Sequence, residues 1–227
     1  TLSDTLSLHD ALPIYDAGPT VVDRAPHRAN VAAAVGVGDE LWRIGDGSLW
    51  QWQADTGAWR SAGRYRERDT AHPRPGDLAM MGQLAGAAVG DQRLIVDGFN
   101  QRLLRLTIDG RGVASLVDLG AADRVVALDA THALVVRNRE LFTYTAATGA
   151  LARYPVALAP VITAAAEPGG RLWCATDAGL VVIDDRGAHR VAATALTGRR
   201  IEDVVIDPAG GAVASLAGGG LLHVALE

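Results

Sequence analysis

Gly170-Arg171-Leu172-Trp173-Cys174-Ala175-Thr176, running through Asp177-Ala178-Gly179 into Leu180-Val181-Val182-Ile183-Asp184-Asp185-Arg186-Gly187, is a complete strand-turn-strand-turn unit. Its copies run along most of the chain. Leu41-Trp42-Arg43-Ile44 with Leu49-Trp50-Gln51-Trp52 forms a first copy, Arg93 to Asp97 with Leu103 to Ile108 a second, and Ala133 to Val136 with Leu141 to Thr145 a third. Ala212 to Leu216 with Leu221 to Leu226 forms the fifth. Apolar anchors at Leu41, Leu94, Leu134, Leu172 and Val213 recur about every 40 residues, and the first interval is longer by about a dozen. A fixed period of this size is the signature of a repeat architecture and decides the fold before any single residue does.

The apolar runs are short, rich in Val, Ile, Leu and aromatic residues, and separated by Gly, Asn and Asp, which supply the positive φ of tight hairpins. No stretch keeps the i, i+3, i+4, i+7 pattern of an amphipathic helix. Each copy opens on a strand of small or aliphatic residues: Val31 to Val37, Leu84 to Val89, Val125 to Leu128, Val161 to Ala166 and Ile201 to Ile206. Innermost strands of radially arranged sheets crowd an axis, where Ala and Gly fit and bulkier side chains do not. The expectation is an all-β chain, a β-propeller of four-stranded antiparallel blades with about five blades present, over residues 30–63, 78–118, 124–156, 161–193 and 201–227.

Composition fits one such domain, since 227 residues can bury roughly 70% of their unfolded surface. No apolar stretch reaches the roughly 18 residues of a membrane-spanning helix. All 21 basic residues are arginine and the net charge is −5, which argues against nucleic acid as a partner because no basic run is interleaved with aromatics. The single cysteine, Cys174, sits in mid-strand and reads as a small buried hydrophobe. Leu6 to Ile14 matches nothing in the repeat and resembles translated sequencing-adapter DNA, so residues 1–14 are set aside as non-native. Residues 15–29 read as an irregular lead-in in which Thr20-Val21-Val22-Asp23-Arg24 could give the fifth copy its fourth strand. The other expectation is an interrupted ring, an incomplete piece of a propeller of about six to eight blades.

The copies resemble the two-component-regulator propeller repeat, of the YVTN and WD40-like kind. Ile201-Glu202-Asp203-Val204-Val205-Ile206-Asp207-Pro208-Ala209-Gly210-Gly211 fits its first half, and Arg171 to Leu180 its second. Arg93 to Leu103 resembles an NHL-type blade, in which a Val-Asp pair precedes Asn-x-Arg. The resemblance implies a non-catalytic module that recognises a protein or small-molecule ligand, as a sensor segment of a bacterial signalling protein on the extracytoplasmic side. The alternative it allows is a hydrolase or lyase of the propeller-lactonase type with a metal on the axis.

In a propeller the between-blade loops and the turns between second and third strands open on one face, where partners bind. Candidate binding residues there are Asn100, Asn138 and Asp177 from turns, and Arg124, Arg199 and Arg200 from between-blade loops. The long insertion adds Arg64, Tyr65, Arg66, Arg68, His72 and Arg74, because unusually long loops in compact domains are often functional. The enzyme reading needs several acidic, amide or imidazole groups on the innermost strands. Those strands offer only Thr163, Glu202 and Asp203, and neighbours in a strand point to opposite faces. His132, His189 and His223 lie at unlike positions of their copies, without metal-ligand spacing. No catalytic residue, metal or cofactor is therefore expected. Trp50 and Trp52 share one strand face, suited to packing between blades or to stacking on a sugar.

Overall fold

The computed structural model describes residues 33–45, 48–64, 84–97, 101–109 and 112–225. The adapter-like leader, the candidate closing strand at 20–24 and most of the insertion lie outside the described residues.

Hairpin-connected strands follow one another in five antiparallel meanders. The first blade is β1 (Ala33–Val37), β2 (Glu40–Gly45), β3 (Ser48–Gln53) and β4 (Ala58–Arg64). The second is β5 (Leu84–Val89), β6 (Gln92–Asp97), β7 (Arg102–Asp109) and β8 (Gly112–Asp118). The third is β9 (Arg124–Ala127), β10 (His132–Arg137), β11 (Glu140–Thr145) and β12 (Ala150–Arg153). The fourth is β13 (Val161–Ala166), β14 (Leu172–Thr176), β15 (Gly179–Asp184) and β16 (Gly187–Arg190). The fifth has three described strands, β17 (Ile201–Ile206), β18 (Ala212–Leu216) and β19 (Leu221–Val224). Among the described residues the one helical element is a 3-10 turn at Thr194–Leu196, and no helix is long and apolar enough to cross a membrane.

The first strands of successive blades lie side by side, β1 against β5, β5 against β9, β9 against β13 and β13 against β17. These inner strands surround the axis, and their small residues allow the approach. A Cβ added to Gly86 on β5 would run into Val37 Cγ2 on β1, so glycine there is required by the neighbouring blade.

The core consists of apolar layers between adjacent blades. Trp42, Ile44 and Leu49 of the first blade meet Ile95, Leu104 and Leu106 of the second. Leu94 and Val96 meet Val125 and Val135. Leu134 and Val136 meet Leu172 and Cys174, and Trp173 and Ala175 meet Val204 and Ala214. The residues that project toward the following blade are thus Trp42, Leu94, Leu134 and Trp173, which shifts the sequence-derived anchor by one position in the first and fourth blades. Leu41 is exposed, because it lies on the opposite face of β2.

The two Leu-Trp copies share a device that the repeat pattern did not predict. Both indoles are fully buried, and a buried indole N–H needs an acceptor. Trp42 Nε1 donates to Glu40 at 3.0 Å and Trp173 Nε1 to Glu167 at 2.6 Å. An arginine holds each carboxylate in turn: Arg93 of the second blade binds Glu40 with Nε and Nη2 at 2.9 and 3.1 Å, and Arg171 binds Glu167 at 3.3 Å.

Candidate functional site: the loop face and axial mouth

Strand direction alone places the between-blade loops and the second-to-third-strand turns at one end of the molecule. Backbone hydrogen bonds then tie them together. Asp123 N–H donates to Val136 O at 2.8 Å, Val161 N–H to Arg139 O at 2.8 Å, Asp177 N–H to Pro160 O at 3.0 Å, and Ala217 N–H to Arg200 O at 2.8 Å.

The turn between β10 and β11 is two residues long, and both have positive φ, 51° at Asn138 and 65° at Arg139. Asn tolerates this region, whereas arginine there carries a steric cost. The Arg139 guanidinium forms an ion pair with Asp177 in the matching turn of the next blade. Behind the turn sits Asp123. Burial raises its carboxyl above the usual value, against backbone hydrogen bonds from Arg139 and Asn138 and the Arg139 charge, which lower it.

Beside this turn runs a groove of about 280 Å³. Leu141, Val156, Leu158 and Val161 supply apolar walls, while Arg139, Glu140, Arg153 and Tyr154 supply polar ones. Arg153 Nη2 donates to Glu140 at 2.6 Å across it. Burial, then the neighbouring Cys174, raises the Tyr154 phenol above its usual value, so it stays a neutral hydrogen-bonding group.

A second cavity, also of about 280 Å³, lies on the axis between β5, β9, β13 and β17. Ala, Val, Gly and Ile206 make up its lining apart from Arg124. Arg124 Nη2 stands 3.7 Å from Asp203 Oδ1, so a side chain of the third blade faces one of the fifth past the fourth. Asp203 is held independently by Thr163 Oγ1–H at 3.0 Å and Val204 N–H at 2.9 Å. Bulges in β13 near Ile162 and in β17 near Glu202 shift the strand register just there, and Glu202 is left exposed.

Arg124 thus corrects the sequence reading: it is the first residue of an inner strand rather than a loop residue. Arg64 ends β4, opposite Ser48 in the ladder, so its backbone belongs to the blade rather than the insertion. Tyr65, Arg66, Arg68, His72, Arg74 and Asn100 lie outside the described residues. Asn138, Asp177, Arg199 and Arg200 share the loop face as expected, and Arg199 Nη2 donates to Gly219 O at 2.6 Å, joining its loop to the turn of the fifth blade. Asp123 and Arg139 were not anticipated. The only signal for Arg139 was its place after Asn138, where a tight hairpin would normally carry glycine.

Three histidines pair with turn carboxylates at the opposite end of the blades: His132 with Asp129 at 3.1 Å, His189 with Asp184 at 3.3 Å and His223 with Asp207 at 2.9 Å. Among the described residues no three His, Cys, Asp or Glu side chains come together as metal ligands. In the first blade, Trp52 meets Trp59 edge-on at 5.4 Å and Arg43 lies 5.5 Å over the Trp50 ring. This cluster occupies the face of β3 opposite to Leu49, away from the second blade.

No family model and no curated protein matches the sequence. Solved structures do match in shape. The extracellular domain of BT4673 from B. thetaiotaomicron aligns over 83% of this chain and 26% of its own, at 16% identity and a TM-score of 0.57. A streptogramin B lyase aligns over 81% of this chain and 61% of its own, at 14% identity and a TM-score of 0.53. The protein YCF48 bound to D1 peptide aligns over 82% of this chain and 61% of its own, at 14% identity and a TM-score of 0.54. The chain is a β-propeller. It spans less than two thirds of each of these three structures, and at such identities the likeness concerns the fold. The same blade arrangement serves a lyase, a peptide complex and an extracellular domain, so function must be argued from the residues.

Proposed function

We propose that this propeller is a non-catalytic recognition module that binds a protein or small-molecule partner on its loop face, as the sensing segment of a bacterial signalling protein. The observation that carries the reading is Arg139, a non-glycine residue held at φ 65° whose charge is directed across a blade boundary to Asp177. Strained backbone persists where the surrounding structure over-determines it, and such positions cluster at ligand clamps and active sites. The adjoining groove sets apolar walls beside the polar groups of Arg139, Glu140, Arg153 and Tyr154, a mixed lining that a ligand with both kinds of group would fit. The extracellular domain among the structural neighbours is consistent with a sensing role, and the peptide complex with a protein partner.

Against a metal-dependent lyase or hydrolase stands the axial charge. The Arg124 guanidinium already occupies the cation position beside Asp203, and like charge would oppose a metal ion there.

The test is selection of peptide ligands from a displayed library on the immobilised protein. Binders should lose about tenfold or more in affinity to the Arg139→Ala and Arg200→Ala variants. They should bind the Asp129→Asn variant, altered on the opposite face, as they bind the original. Selection of no binder, or equal losses from both faces, would reject the reading.

A further inference from the structure

The geometry points to the axial cavity as a site for a short aliphatic monocarboxylate, gripped by Arg124 at its mouth with its hydrocarbon tail on the Ala and Val walls. The inference rests on the reading of the propeller as a recognition module and gives the axial channel, which Arg124 bounds at the loop end, its ligand chemistry.

Arg124 is the one charged residue among those that line the cavity. Its separation of 3.7 Å from Asp203 exceeds the roughly 2.7–2.9 Å of a charge-assisted hydrogen bond. Its guanidinium is held to Asp203 at ion-pair distance and not by a short hydrogen bond, so its planar fork of donors can turn to a ligand carboxylate. Asp203 does not depend on it. With Thr163 Oγ1–H and Val204 N–H donating to Oδ1, the Asp203 carboxylate keeps two hydrogen bonds when Arg124 turns to a ligand.

The remaining lining selects the rest of the molecule. Apart from Arg124, the residues of the lining, Ala127 and Val205 among them, offer no hydrogen-bonding side chain, so a hydrocarbon tail meets apolar side chains there. The volume of about 280 Å³ suits a small ligand. Asp203 opposes a second negative charge, so a dicarboxylate is disfavoured relative to a monocarboxylate.

The experiment is titration of the whole chain with sodium butyrate, followed by amide and methyl NMR and by calorimetry. A small ligand of this kind should saturate at an affinity of about 1–10 mM, with shifts concentrated at Val125, Ala165 and Val205. Arg124→Gln should abolish the shifts, Arg124→Lys should weaken binding about three- to tenfold, and Asp203→Asn should tighten it by a similar factor. Butyramide and butylamine should not bind.

Butyrate binding that survives Arg124→Gln, equal binding of butyramide, or no saturation up to about 50 mM overturns the inference. Each variant is first shown to keep the parent amide spectrum outside the channel. Failure of butyrate while displayed peptides still depend on Arg139 defeats the axial inference alone. Failure of the peptides as well defeats the recognition reading on which it rests.

Discussion

At Arg139 two requirements oppose each other. A left-handed backbone costs an arginine about 1–2 kcal/mol relative to glycine, while an exposed ion pair such as that with Asp177 returns about 0–1 kcal/mol. Arg139→Gly should therefore leave the folded state as stable as the original or up to about 1 kcal/mol more stable, read by urea unfolding, while it weakens partner binding. A marked loss of stability would show that the arginine serves the fold. Asp123 behind the turn gives a pH-dependent counterpart. Burial raises its folded-state carboxyl above the unfolded value, so its contribution favours folding below about pH 3.8 and is lost as pH rises through the folded value. Asp123→Asn keeps an acceptor for the turn amides without the buried charge. It should raise the Tm at pH 7, and the gain should shrink toward zero at about pH 3. A gain that is independent of pH would contradict the assignment to ionisation. Cys174 follows the same logic at high pH. Burial pushes its thiol up to about 12, so the native protein should resist alkylation at about pH 8 and become reactive only on unfolding. Rapid native labelling would contradict the burial.

Element by element, the inner strands show what patterning can and cannot reveal. β5, β13 and β17 coincide with the aliphatic runs expected for them, because crowding at an axis selects small side chains wherever it occurs. β9 begins one residue earlier, at Arg124, since a charged residue beside a loop is indistinguishable from loop until its ladder partner Val136 is known. The bulges at Ile162 and Glu202 were invisible for the same reason: they are properties of pairing, and it is pairing that brings Asp203 beside Thr163 and Arg124. The anchors read from the repeat fall on Leu41 and Leu172 and not on the neighbouring tryptophans; β14 is buried at every position and has no alternation to read, whereas β2 exposes Leu41 and buries Trp42. Gly86 converts this crowding into a measurement. Gly86→Ala forces a methyl group against the buried, β-branched Val37 and should cost about 1–3 kcal/mol in urea unfolding. Gly36→Ala, on the adjacent strand with open space around it, should change stability by less than about 0.5 kcal/mol. Equal effects at the two sites would mean that the inner strands are not held together as described.

Over the whole molecule, each blade packs on its sequence neighbours, so stability is expected to be a sum of blade terms and interface terms rather than a property of one shared core. Trp173 tests this because it belongs to a single interface. It fills the layer between the fourth and fifth blades beside Val204, Ala214 and Leu216, and its indole N–H is satisfied within the fourth blade by Glu167. Trp173→Ala removes the largest side chain of that layer and should cost about 3–5 kcal/mol. Where the cost is felt separates the two pictures. In a chain of nearest-neighbour interfaces, hydrogen exchange should accelerate across β13 to β19 while the amides of β5 to β7, two interfaces away, keep their protection. Arg93 on β6 and Glu40 on β2 bridge the first two blades without touching the fourth, so that end has its own support. A uniform loss of protection from β1 to β19 would instead mark the propeller as one cooperative unit. A ligand that bridges Arg124 of the third blade to the far wall of the axis would then stabilise every blade equally, and not only those it touches.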